Sequence, residues 1–150
     1  MFSFLKKKII IPHVRLTGVI GAAGRFKQGM DLAGQKVILK KAFSFKKISH
    51  VAISINSPGG SPVQSHLIYS YIKQLAKEKK IKVIIFAEDV AASGGYLISC
   101  AGDEIYANSS SIIGSIGVIS ASFGFKDLIK KIGIERRVYT AGKNKSTLDP

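Results

Sequence analysis

The sequence predicts an α/β fold of right-handed βαβ units around a mostly parallel sheet, and three observations carry that prediction. Apolar, β-branched runs recur at residues 14–22, 48–55, 82–87, 104–107, 116–120 and 134–139. Segments of helical spacing separate several of them. The best is Pro62–Lys79, where Val63, Leu67, Ile68, Tyr71, Ile72 and Leu75 recur at three- and four-residue steps. No repeat or linker divides the 150 residues, so strands joined by helical crossovers share one sheet.

Each element has a local reason. Residues 14–22 alternate and close on Gly21 and Gly24. Residues 24–35 are polar and dotted with glycine, a loop, and residues 37–42 read as helix because the fold class needs a crossover there. Residues 48–55 read as a buried strand, and Asn56-Ser57-Pro58-Gly59-Gly60 turns the chain. Pro62 suits a first helical turn and lysines crowd the last one. A strand over 82–87 then leads into a small-residue helix over 91–101, in which Cys100 is expected in the core beside Leu97 and Ile98. A strand at 104–107, a serine-rich turn at 108–115, a strand at 116–120, a helix at 125–132 stopped by Gly133 and a strand at 134–139 complete the chain. In such a sheet, ligand sites lie beyond the carboxyl ends of strands, where residues 56–60 and 91–95 both fall.

Composition narrows the function. A hydrophobic fraction of 46% supports a buried core. The 23 Lys+Arg against 9 Asp+Glu give a net charge of +14. That excess suits nucleic acid or an anionic membrane, or simply solvated surface lysines, the reading the scattered clusters favour. The lysines fall in short clusters, however, with no aromatic-interleaved stripe and no nucleic-acid motif, so no nucleic-acid partner is expected. One cysteine excludes an intramolecular disulfide and fits a reducing, cytoplasmic compartment. Residues 1–13 form a basic N-terminal segment with Lys6, Lys7 and Lys8. Its apolar run is too short for a signal peptide or a membrane anchor. It leaves peripheral contact with an anionic surface, such as the inner membrane, as the membrane association to expect.

Ala92-Ser93-Gly94-Gly95 carries the chemistry. A serine at a strand-to-helix turn presents its hydroxyl at a helix N-terminus, and the glycines free backbone amides beside it. That arrangement serves a nucleophile with an oxyanion hole, or simply a helix cap. The amides of Gly59 and Gly60 in the other turn offer a second set of donors, or only a tight reversal. A base is then needed. His13, His50 and His66 all precede Ser93, which excludes a triad whose His follows Ser and leaves only a His-first order, and neither His50 nor His66 is placed at a carboxyl strand end. Lysine is the remaining choice, as in Ser-Lys variants of the catalytic triad. Lys126, Lys130 and Lys131 fall on a basic helix, whereas Lys143 and Lys145 lie just past the 134–139 run. A lysine base must be neutral, and lowering its pKa from about 10.4 to about 7.5 costs about 4 kcal/mol, which only burial supplies.

Five segments in order, Ile55-Asn56-Ser57-Pro58-Gly59-Gly60, Ala91-Ala92-Ser93-Gly94-Gly95-Tyr96, Ala101-Gly102-Asp103-Glu104-Ile105-Tyr106-Ala107, Gly114-Ser115-Ile116-Gly117-Val118 and Gly142-Lys143-Asn144-Lys145, resemble the signal peptide peptidase A / SohB family of serine peptidases. The likeness runs over residues 14–150, taken as one peptidase domain. It implies a Clp/crotonase-type spiral fold and endopeptidase action on peptides such as signal-peptide or membrane-protein fragments. Ser93 falls on the family nucleophile and Lys145 on its lysine base, with Lys143 the second choice. Gly59 and Gly94 fall where the family places oxyanion amides. It implies a ring of like subunits, and no metal or cofactor. Members usually carry an N-terminal anchor and further C-terminal helices, which are expected to be absent here. Two other readings stay open: a non-catalytic remnant that joins a homologous ring, and a crotonase-like acyl-CoA enzyme using Glu88 or Asp89.

Overall fold

Four parallel strands lie side by side in chain order: β1 (His13–Thr17), β2 (His50–Ser57), β3 (Lys82–Ala92) and β4 (Glu104–Ala107). A fifth, β5 (Ile112–Gly114), also pairs in parallel with β3. The computed structural model describes residues 9–21, 29–119, 121–139 and 141. Helices α1 (Leu32–Ala42) and α2 (Pro62–Lys79) are the crossovers, and α3 (Gly94–Ser99) leads from β3 towards β4. The architecture is the α/β, mostly parallel sheet that the alternating pattern predicts.

Alternation along the strands makes the core. In β1 only Val14 and Leu16 are buried, and in β3 the buried set begins Val83, Ile85 and Ala87. Every second side chain therefore meets the helices. Ile68, Ile72 and Leu75 of α2 and Leu39 of α1 fill the layer above, with Ile98 of α3. Helix α1 starts where Asp31 accepts a hydrogen bond from the Gly34 N–H at 2.8 Å. Helix α2 starts at Ser61, whose hydroxyl accepts from the Gln64 N–H, with Pro62 in its first turn.

The other sheet face is polar towards the carboxyl end. Arg15 on β1 donates to Glu88 on β3 at 2.9 and 3.1 Å from its Nε. Hydrogen bonding to Arg15 holds the Glu88 carboxyl below the usual carboxylate range. The pair therefore adds stability above the ordinary value of about 4.3 and loses it as pH falls through the lower folded value. Glu88→Gln is expected to lower the urea midpoint slightly at neutral pH, with the gap to the parent chain closing on acidification. Paired urea titrations at pH 7 and pH 3 read it out.

Several boundaries differ from the sequence reading. Strand β3 runs on to Ala92 and α3 begins at Gly94, so residues 91–93 are not helical. Past Ala87 the strand leaves β4 and gains β5 as a partner, with Ser57 paired to Ala91 across a register shift. The predicted turn 56–60 thus gives Asn56 and Ser57 to β2. The serine-rich turn contains β5, and the described residues 116–119 are not strand. The first strand stops at Thr17, after which Ile20 makes isolated bridges to Met30 and Gly60. Cys100 is exposed rather than in the core, because it caps α3 on the side away from Ile98.

The described residues from 119 onward form a separate unit. Its helix α4 (Lys126–Lys131) has no buried residue. Residues 134–139 pair with no strand among the described residues. A strand is completed only by a neighbour's backbone, so an apolar run is not enough to make one.

Candidate active site

Ser93 stands at the N-cap position of α3 with φ 52° and ψ −116°, and its side chain makes no capping hydrogen bond. A residue with a Cβ adopts this region only at a cost of about 1–3 kcal/mol. The backbone on both sides enforces it. The Ser93 N–H donates to the Gly114 carbonyl at 2.8 Å, and its own carbonyl accepts the Leu97 N–H at 3.0 Å. The hydroxyl is thereby left uncommitted on a fixed turn, which the simple capping role does not explain.

The two glycine turns converge on this residue. A Cβ on Gly59 would lie 2.7 Å from the Ser93 Cβ and 2.8 Å from the Gly94 nitrogen. One on Gly95 would lie 2.7 Å from the Ser57 carbonyl oxygen. Only glycine allows such approach. Ser57, fully buried, ties the first turn down. Its hydroxyl donates to the Gly18 carbonyl at 2.7 Å and accepts the Gly59 N–H at 3.1 Å. Ile20 then bridges the turn: its N–H donates to the Gly59 carbonyl and its carbonyl accepts the Ser61 N–H, each at 2.8 Å. Backbone groups alternate in direction along such a bridge, which turns the Gly60 N–H away from Ile20. The Gly94 N–H belongs to the first turn of α3 and has no acceptor within the helix. Of the three predicted oxyanion glycines, Gly60 and Gly94 thus have amides free of the bonds that hold the turn, while the Gly59 amide is engaged by Ser57.

Ser93, Gly60 and Gly94 open on a cavity of about 230 Å³. Its apolar wall is Tyr96, Leu97, Cys100, Ile116 and Val118. The sequence reading did not name these as site residues. Two signals were present: Leu97 and Cys100 are three apart on one helix, and Ile116 and Val118 flank Gly117 in the Gly114–Val118 motif. No lysine, histidine or carboxylate lines this cavity among the described residues. His13 and His50 open β1 and β2 at the amino edge, opposite Ser93, and His66 is exposed on α2 beside Ser70. Glu88 and Asp89 are held by Arg15 and Asn56 and are absent from the lining, which removes the acid that acyl-CoA chemistry would need there. Lys126, Lys130 and Lys131 belong to α4. Lys143 and Lys145 lie outside the described residues. No group of three or more His, Cys, Asp or Glu side chains suited to a metal ion occurs among the described residues.

Residues 75–150, half of the chain and including Ser93, match Peptidase family S49. The chain belongs to Peptidase family S49. Its likeness to signal peptide peptidase A / SohB proteins covers more of the chain than that match. It is 35% identical over 130 residues to a chloroplastic serine protease SPPA of Arabidopsis thaliana, covering 82% of this chain and 19% of that protein. It is 63% identical over 141 residues to a Brucella melitensis protein named Na(+)/H(+) antiporter NhaA, covering 93% of this chain and only 19% of that protein. The antiporter name describes a protein most of which lies outside the match. Among the described residues, no helix is long and apolar enough to cross a membrane. The chain spans about a fifth to just under half the length of the first curated relatives it matches, 19% to 46%. A solved structure, a point mutant of the 1510-N membrane-bound stomatin-specific protease, superposes with TM-score 0.56 at 20% identity, over 76% of this chain and 51% of that one. This S49 chain therefore shares the fold of a known protease, as the Clp/crotonase-type expectation requires.

Proposed function

We propose that this S49 chain carries the nucleophile of a serine endopeptidase, with Ser93 as nucleophile and Lys145 as base. The conformation of Ser93 is the observation that supports it most. A non-glycine residue is held at φ 52°, its hydroxyl is spared from capping, and it faces an apolar cavity beside the Gly60 and Gly94 amides. The hydroxyl attacks a peptide carbonyl while the neutral lysine amine takes its proton. The amides of Gly60 and Gly94, rather than that of Gly59, stabilise the oxyanion. The lysine returns the proton to the leaving amine, and water then releases the acyl group from Ser93. Peptide substrates lie extended along the strand edge, with an apolar side chain in the cavity. These include fragments of signal peptides or membrane proteins. A homo-oligomeric ring supplies the enclosure that a neutral lysine requires.

Fluorophosphonate labelling tests this reading. Peptide mapping is expected to place the label on Ser93, with labelling lost in Lys145→Ala and kept in Lys143→Ala. Label on another serine, or equal labelling without Lys145, overturns the assignment.

A further inference from the structure

One basic cluster, free of nearby carboxylates in sequence, lies at a place the peptidase site does not use. Between Asp31 and Glu78 the chain carries no carboxylate side chain. Within that stretch, Lys40, Lys41, Lys46 and Lys47 follow one another along the end of α1 and the turn after it. All four are exposed, and none is in an ion pair among the described residues. Apolar side chains are exposed among them: Val37 is 73%, Ile38 51% and Phe45 46% accessible. Ile38, Lys41 and Phe45 line one surface depression together with Pro12, so the patch continues into the N-terminal segment. There Ile9, Ile10 and Ile11 are exposed as well, directly after Lys6, Lys7 and Lys8 in the sequence.

We propose that this patch docks on an anionic lipid surface. The lysines meet the headgroups, and Ile38, Phe45 and neighbouring isoleucines enter the acyl boundary. Charge selects the partner. A second copy would bring lysine against lysine across a two-fold interface, and a head-to-tail contact would need a facing acidic patch that 9 Asp+Glu against 23 Lys+Arg make scarce. Nucleic acid would leave the aliphatic centre of the patch against phosphate and without a contact. A bilayer with acidic headgroups satisfies both halves. The end of α1 and the start of β1 lie at the amino edge of the sheet, whereas Ser93 follows the carboxyl end of β3. Docking therefore leaves the Ser93 cavity clear, and the two readings fail independently.

The sequence contains no tryptophan, so Phe45→Trp introduces a single reporter. Its emission is expected to shift to the blue with phosphatidylglycerol-containing vesicles and to stay unchanged with pure phosphatidylcholine. Lys40→Glu/Lys41→Glu is expected to weaken vesicle cosedimentation by at least about 30-fold, at roughly fivefold per lysine lost before any repulsion from the new carboxylates, and added salt weakens it further. Neutralising Lys6, Lys7 and Lys8 together should leave the emission shift in place. Equal binding to both vesicle types, binding with no emission shift, a shift caused by duplex DNA or by raised protein concentration alone, or loss of the shift on neutralising only Lys6–Lys8, each overturns the proposal. Circular dichroism of each variant separates misfolding from lost docking.

Discussion

Ser93→Ala is expected to lower peptide hydrolysis by at least about 10⁴-fold while leaving folding stability within about 0.5 kcal/mol. The two halves of this result come from one observation. At φ 52° the side chain does not cap α3, so its hydroxyl adds nothing to the helix that alanine removes. A serine whose task was capping would cost about 1 kcal/mol on replacement and no hydrolysis. Initial rates on an apolar fluorogenic peptide, set beside urea unfolding of the same preparations, separate the cases. Substantial residual turnover in Ser93→Ala would remove the nucleophile from the account. A stability loss of about 1 kcal/mol with full turnover would restore the cap.

Gly60→Ala is expected to destabilise the fold by about 3 kcal/mol or more and to remove fluorophosphonate labelling. Gly60 has φ 145°, and a Cβ there would collide with the carbonyl of Ile20, a backbone group that cannot rotate aside. Ile20 is also the residue that clamps the turn, through its bonds to Gly59 and Ser61. Strain at Gly60 thus passes straight to the turn that abuts Ser93. Gly124→Ala, where an added Cβ meets nothing within 4 Å, serves as the comparison and should unfold at the parent midpoint. An unfolding midpoint for Gly60→Ala equal to the parent's would show that the clamp is not rigid.

The regular part of the fold was legible because its signals are local. Helix Pro62–Lys79 and strand Glu104–Ala107 agree with their spacing and boundaries residue for residue. What was lost lay where pairing partners decide. Residues 91 and 92 look like the entry to a small-residue helix, yet β5 and Ser57 hold them extended. Residues 112–114 sit in a serine-rich stretch that reads as turn, and become strand because β3 offers them a free edge. Cys100 has apolar neighbours in sequence but ends α3 on the open side, so only packing could expose it.

By itself the sequence determined the α/β class, the two glycine turns and the serine between strand and helix. Hydrophobic periodicity and turn chemistry are written in neighbouring residues. Only the tertiary structure decided that the turns meet, that Ser93 takes a positive-φ conformation with its hydroxyl free, and that Leu97, Ile116 and Val118 line a cavity beside it. Those facts depend on contacts between residues far apart in the chain. The bridges from Ile20 to Gly59 and Ser61 and the bond from Ser93 to Gly114 create a geometry that no local pattern encodes.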